Sequence, residues 1–418
     1  MNNKILPIIF SAFFLNAAAG CSSEKKTALP ELTQEEITAM SDNANEIAFS
    51  FYRKKASGKN ENFFFSPYSM RSAFAMAREG AKNETAEQMN AVFSFPSENE
   101  ELRKSYQSMS DAVYEASKGT IFTQANAFWA EKSYKFLPEY ISALKRVYLA
   151  AAETADFSKK AEESRKKINS WTEKNTGGII KDLFAEGTIN ELTRLVLVNA
   201  VYFKGTWSEP FTKNSTFEAD FHLNSGEKSK AQLMRHEEST YFQLGRKDKT
   251  LFLAMPYKSK SEKGAGLEMM VILPEDSADF AAAENQLSSR YVNEARASMT
   301  REKVRVFFPK FKFSSSHELN NDLKEMGMIA AFTDSADFSG MTDKPDLMIG
   351  TAVQKAFIDV AEEGTEAAAA TGIAMTLKSA MPTPSFIFRA DKPFVFLIRD
   401  IKTGLILFMG KVENPKAS

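Results

Sequence analysis

The chain has 418 residues and a single cysteine, Cys21. No internal disulfide can form, so the fold rests on its core and not on cross-links. Histidine is almost as scarce, and His222, His236 and His317 are the full set. None has a second histidine or cysteine at metal-ligand spacing, and His236 beside Glu237 and Glu238 reads as a solvated cluster. No metal and no other cofactor is therefore expected. A glycine loop of the kind that cradles phosphate is missing, and so is a Gly-x-Ser-x-Gly nucleophile elbow. Charge of one sign is not in excess: 53 basic against 54 acidic residues leave a net −1, which removes the whole-molecule field that a nucleic-acid partner would need. The basic run over 159–167 is interrupted by Glu162 and Glu163, the pattern of a solvated helix face. Within 38–414 there is no internal repeat and no Gly/Ser/Pro linker. With 43% hydrophobic residues the chain can bury a large core, so one large mixed domain is favoured over the two or three that length alone suggests.

Long apolar runs are also lacking. The N-terminal one, Ile5 to Leu15, follows the weakly basic Met1-Asn2-Asn3-Lys4 and is too short to span a membrane comfortably. Small residues follow it up to Gly20-Cys21, which reads as a secretion signal. Ala18-Ala19-Gly20-Cys21 resembles the cleavage box of bacterial lipoproteins, although alanine stands at 18 where leucine is usual. Cleavage there would leave Cys21 as a lipid-bearing N-terminus, and an ordinary signal cut nearby is the alternative. The expectation is a signal peptide over 1–20, a polar tether over 21–37 and a folded domain over 38–415. Such a protein would sit in a bacterial cell envelope, held by lipid at the outer membrane or cell surface.

Apolar spacing predicts helices over Asn43 to Lys55 (capped by Ser41-Asp42), Ser69 to Arg78, Pro138 to Tyr148 and Ser158 to Trp171. Thr85-Ala86-Glu87-Gln88 fits a capping box that opens another. Ile121 to Ala130, Leu195 to Phe203, Leu267 to Leu273, Val304 to Phe313 and Val353 to Val360 read as strands, with Leu195 to Phe203 apolar on both faces and so central. Phe394 to Arg399 and Leu405 to Lys411 read as a hairpin. The class is α+β with large antiparallel or mixed sheets.

The most informative stretch is Glu362-Glu363-Gly364-Thr365-Glu366-Ala367-Ala368-Ala369-Ala370-Thr371. Alanine runs favour helix, yet from 365 onward the chain alternates with period two. Thr365, Ala367, Ala369, Thr371, Ile373, Met375 and Leu377 share one face. Glu366, Ala368, Ala370, Gly372, Ala374 and Thr376 share the other. Ser379 to Pro384 then reads as exposed loop. A loop that can also be a strand is a segment with two destinations.

This stretch resembles the hinge of inhibitory serpins, the serine protease inhibitors that trap their target by loop insertion, a mechanism long established for that family. Further blocks carry the resemblance: Asn62-Phe63-Phe64-Phe65-Ser66-Pro67-Tyr68-Ser69, Gly80-Ala81 with Thr85 to Met89, Leu197 to Trp207, and Lys392 to Asp400. The resemblance implies three β-sheets, about nine helices and an exposed reactive-centre loop. It implies no enzyme activity but a suicide inhibitor of serine proteases, whose partner is a protease held in a covalent complex, and a monomer. It places the bait bond fourteen residues beyond Gly364, at Lys378-Ser379, which suits a trypsin-like enzyme. Leu377-Lys378 would suit a chymotrypsin-like enzyme and Met375-Thr376 an elastase-like one. Ser66, Ser69 and Asn199 match the region that gates sheet opening, Trp207 the point of first entry, and Gln354 stands where the family often has histidine. Members that bind heparin carry a basic helix in the place of Glu98 to Ser117, which here has few bases, so no heparin site is expected. A non-inhibitory binding protein of the same fold is the competing reading, and small residues past Gly364 speak against it.

Overall fold

The computed structural model describes residues 32–342, 347–365 and 386–416. Cys21, Glu366 to Thr371, Lys378 and Ser379 lie outside the described residues. Nine α-helices are found among the described residues: α1 (Gln34–Lys55), α2 (Pro67–Gly80), α3 (Asn83–Phe93), α4 (Asn99–Ala116), α5 (Pro138–Ala143), α6 (Phe157–Asn175), α7 (Phe280–Gln286), α8 (Ser289–Ser298) and α9 (Asn320–Glu325). The strands are β1 (Phe63–Phe65), β2 (Ile121–Glu131), β3 (Ala151–Ala155), β4 (Leu195–Thr206), β5 (Phe217–His222), β6 (Lys228–Arg235), β7 (Thr240–Lys247), β8 (Thr250–Pro256), β9 (Leu267–Pro274), β10 (Thr300–Pro309), β11 (Phe311–Glu318), β12 (Thr351–Ala361), β13 (Gly364–Thr365), β14 (Phe386–Arg389), β15 (Phe394–Asp400) and β16 (Ile406–Val412).

Three expected boundaries move, each for a local reason. Helix α1 starts at Gln34, inside the stretch read as tether, because Thr33 and Glu36 form a reciprocal capping box. Ser41, the expected cap, is buried within the helix and donates to the Ile37 carbonyl (2.8 Å). Thr85 and Gln88 do not cap α3, which opens at Asn83. They face a neighbouring segment instead, where Thr85 accepts from the Asp337 N–H and Gln88 from the Ile329 and Ala330 N–H groups. The single strand expected over Val304 to Phe313 is two, since Pro309 cannot donate to a ladder and Lys310 separates β10 from β11.

A six-stranded sheet runs β11-β12-β13-β4-β2-β3. A larger one runs β1-β16-β15-β9-β8-β7-β10-β6-β5, with β14 also on β10. Strand β10 pairs with β7 over Thr300 to Val304 and with β6 over Phe307 to Pro309. The larger sheet is thus two sheets sharing β10, which makes three in all. Apolar residues on both faces of β4 meet two different layers. Val201 and Phe203 pack with Met255, Phe396 and Phe408 of the larger sheet. Val196 and Val198 pack with Trp129, Phe157 and Ile168, which puts α6 over the opposite face. Both faces being covered, Leu195 to Phe203 is buried throughout, as its continuous apolar run predicts.

Candidate functional site

The sequence stretch with two destinations begins inside the six-stranded sheet. Strands β12 and β4 pair directly and in parallel from Thr351 opposite Val196 to Phe357 opposite Tyr202. Beyond that seam they part, and β13 wedges between their ends. Gly364 and Thr365 pair antiparallel with Ala361 and Val360 on one side and with Thr206 and Gly205 on the other. Glycine is required by the closeness of this approach. Its φ is +157°, and a Cβ at 364 would run into the Gly205 carbonyl oxygen and lie 2.8 Å from the Thr206 Cα. Gly205 is needed on the facing strand, since a Cβ there would come within 2.7 Å of the Tyr257 ring.

Thr365 is wholly buried, and its hydroxyl shares a hydrogen bond with Tyr257 (2.8 Å). The Tyr257 ring stacks on Trp207 with centroids 4.5 Å apart. Burial drives the Tyr257 phenol well above its ordinary value, against a smaller opposing effect of Thr365, so it stays neutral. Trp207 holds the turn before the wedge, its indole N–H donating to the Ala361 carbonyl (3.1 Å) and its backbone N–H to that of Glu363 (3.0 Å).

The first two residues of the hinge, Glu362 and Glu363, are tied down. Glu362 is buried, accepts from the Lys310 ammonium (2.9 Å) and from the Thr216 hydroxyl (2.8 Å), and its carbonyl accepts from the Phe211 N–H (2.8 Å). Burial pushes its carboxyl up, but the Lys310 and Thr216 bonds outweigh that and hold it below its ordinary value. Glu363 pairs with Lys213 (2.5 Å). Lys310 was hidden from sequence reading because it falls in the middle of what looks like one strand. Pro309 was the available signal for the break.

Lower in the seam, Ser66, Ser69, Asn199 and Gln354 come together, all buried. Gln354 and Asn199 face each other across β12 and β4. The Gln354 carboxamide accepts from the Ser66 N–H (2.9 Å) and donates to the Ser66 carbonyl (2.9 Å) and to Asn199 Oδ1. Asn199 Nδ2 lies within bonding distance of the Ser69 hydroxyl (2.6 Å), the Ser69 carbonyl (3.0 Å) and Asn126 Oδ1 (2.6 Å). Ser66 caps α2 and donates its own hydroxyl to the Leu407 carbonyl (2.6 Å). The network therefore joins both strands of the seam to α2 and to the larger sheet. Trp207 sits apart from it, at the wedge. His317 on β11 lies opposite Gln354 and bonds to the Phe64 carbonyl (3.0 Å). Desolvation takes its imidazole down to about 4, so it is neutral at ordinary pH, and nothing in the sequence singled it out.

Among the described residues no group of three His, Cys, Asp or Glu side chains could hold a metal ion. The arrangement is mechanical, a sheet whose strands β12 and β4 part at one end around the two residues of β13 and are closed below by a hydrogen-bonded lock.

A family model described as Serpin (serine protease inhibitor) matches residues 42–415. An uncharacterized serpin-like protein of Thermococcus kodakarensis is 38% identical over 375 residues, 89% of this chain and 85% of the relative. The leukocyte elastase inhibitor of Bos taurus is 37% identical over 360 residues, 85% of this chain and 93% of the relative. Of solved structures, the native stressed conformation of AtSerpin1 from Arabidopsis aligns with a TM-score of 0.79 at 29% identity, over 93% of this chain and 100% of that one.

Proposed function

Since this chain belongs to the serpin family of serine protease inhibitors, we propose that it traps a trypsin-like protease by cleavage at Lys378-Ser379 and insertion of the freed hinge between β12 and β4. The observation that carries this reading is the two-residue wedge. Gly364 and Thr365 pair with β12 and β4 just beyond the stretch where those strands pair directly, which is where an inserting strand would begin.

The register of the wedge supports this reading, since its continuation would give each later residue a compatible neighbour. Carried on antiparallel, Ala367 would lie between Ile358 and Phe203, Ala369 between Ala356 and Val201, and Thr371 between Gln354 and Asn199. The inner face is buried at each of these strand positions, so small side chains enter without overpacking. Thr371 would arrive where the lock now closes, with a hydroxyl able to take up hydrogen bonds that separation of Gln354 and Asn199 sets free. On the other face Glu366 would lie between Asp359 and Lys204, which are half-exposed, and can stay in water. Gly372 and Ala374 would pass beside Val198, Val353 and Val196, of which all three lie in the cluster under α6. Glycine and alanine are what a covered face admits.

The protease supplies the chemistry. Its serine attacks the bait carbonyl and forms an acyl bond, and a lysine before that bond suits a specificity pocket that holds a carboxylate. Insertion then adds a strand and buries Ile373, Met375 and Leu377, at roughly 1.5–3 kcal/mol each. The uncleaved state is kept by a barrier and not by equilibrium. The decisive experiment mixes residues 22–418 with trypsin and follows denaturing gels with mass spectrometry of the released peptide. A stable covalent complex and a peptide starting at Ser379 are expected. Cleavage without a complex would point to a non-inhibitory member, and a covalent complex formed instead with chymotrypsin or elastase, releasing a peptide that starts at Lys378 or Thr376, would move the bait bond.

The same reading attaches the domain to a bacterial envelope through lipid on Cys21. Among the described residues no helix is long and apolar enough to cross a membrane. Cys21→Ala is expected to move the protein from the membrane to the soluble fraction. Unchanged fractionation would remove the anchor from the proposal.

A further inference from the structure

The outward face of β10 differs from the rest of the surface. Val304, Val306 and Phe308 point into the core, so the alternate residues Arg301, Lys303 and Arg305 point out. None of these three makes an ion pair among the described residues. Apolar groups flank them. Tyr241, 56% exposed, lies opposite Lys303 on β7, and the Arg301 guanidinium sits 5.0 Å from its ring. Ile387, 59% exposed, lies opposite Arg305 on β14, next to the exposed Phe386. Among the described residues no neighbouring acid is in ion-pair contact with these three cations. Glu302 accepts from the Thr300 hydroxyl, and Glu237 and Glu238 sit in the turn between β6 and β7. Such a strip of unpaired cations with an exposed tyrosine and isoleucine has the composition of an interface rim, not of an inert surface.

Its position selects the occupant. Strand β14 begins seven residues after Ser379, so the end of the strip at Phe386 is within about 25 Å of the bait bond even with the intervening chain fully extended. A protease engaged on the loop covers about 800 Å² of its partner, a patch of comparable reach. We propose that Arg301, Lys303 and Arg305, with Tyr241 and Ile387, form a second contact surface for the target protease and select an enzyme with an acidic surface beside its cleft. This rests on the inhibitory reading above. Charges at the rim of a contact act on the rate of encounter more than on the final complex, and salt screens them. The bait residue then decides which proteases can cleave, and the strip decides how fast they arrive.

Anionic and cationic trypsins cleave after the same residues and differ in surface charge, so they separate the two effects. Second-order rates of inhibition are measured for the parent and for the double variant Arg301→Glu/Arg305→Glu at about 20 mM and 500 mM salt. The parent is expected to inhibit the anionic enzyme at least tenfold faster than the cationic one at low salt. The variant should lose at least tenfold against the anionic enzyme only, with unchanged stoichiometry, and high salt should erase both differences. Equal rates for parent and variant toward anionic trypsin at low salt overturn the second surface alone. Absence of a covalent complex between the parent and either trypsin overturns the trypsin-like reading and this inference with it.

Discussion

Thr365→Arg is expected to be cleaved by the target protease without retaining it, with the ratio of covalent complex to cleaved inhibitor falling at least tenfold. Thr365 is wholly buried between Val360 and Gly205, with its hydroxyl on Tyr257. An arginine there would have to bring a charge into a wholly buried site and push apart the Trp207–Tyr257 stack. Burying an unpaired charge costs several kcal/mol, more than the early steps of insertion return. The hinge would stay outside, the acyl bond would have time to hydrolyse, and the enzyme would leave. Glu366→Ala, at a position that continued insertion in the same register would leave on the solvated face, should keep the parent's stoichiometry. Gel densitometry over a range of inhibitor-to-protease ratios measures both. Parent-like complex formation by Thr365→Arg would sink the insertion mechanism.

The second large effect is expected at the lock. Gln354→Met keeps the side-chain volume and removes every polar atom. The Ser66 N–H, the Ser66 carbonyl and Asn199 Oδ1 would lose the partner they share. A buried polar group left unpaired costs about 1–3 kcal/mol, so a loss of about 3–5 kcal/mol is expected. The urea midpoint reports it. The consequence should reach beyond stability, because the same bonds tie the β12–β4 seam to α2. With the lock gone, warming should drive spontaneous loop insertion or self-association at temperatures where the parent undergoes neither. Gln354→His, which retains one donor and one acceptor, should fall between the two. An unchanged midpoint for Gln354→Met would mean that the network is not what holds the seam.

Much of this site was legible because the chemistry of insertion is written in local composition. Gly364 followed by small residues at alternate positions can mean a strand that must enter a crowded sheet, and Thr365 is buried between β12 and β4. The centrality of β4 was equally plain, since a strand apolar on both faces has to be covered on both. What could not be read was anything that depends on two distant segments meeting. Glu362 and Glu363 look like the solvated start of a loop, yet Lys310, Thr216 and Lys213 hold them. Thr85 and Gln88 have the spacing of a capping box, and only the approach of residues 329–337 turns them to other N–H groups.

The sequence by itself determined the kind of protein this is: a core without disulfides, a hinge whose periodicity and side-chain size permit it to become a strand, and family blocks that run from one end of the domain to the other. Those properties are local or compositional, and a single chain displays them openly. The tertiary structure alone decided that Gly364 and Thr365 lie between β12 and β4, which residues hold Glu362 and Glu363, and where the seam is locked. Parallel pairing of β12 with β4 joins residues more than 150 positions apart, and no periodicity within either strand records its partner or its register.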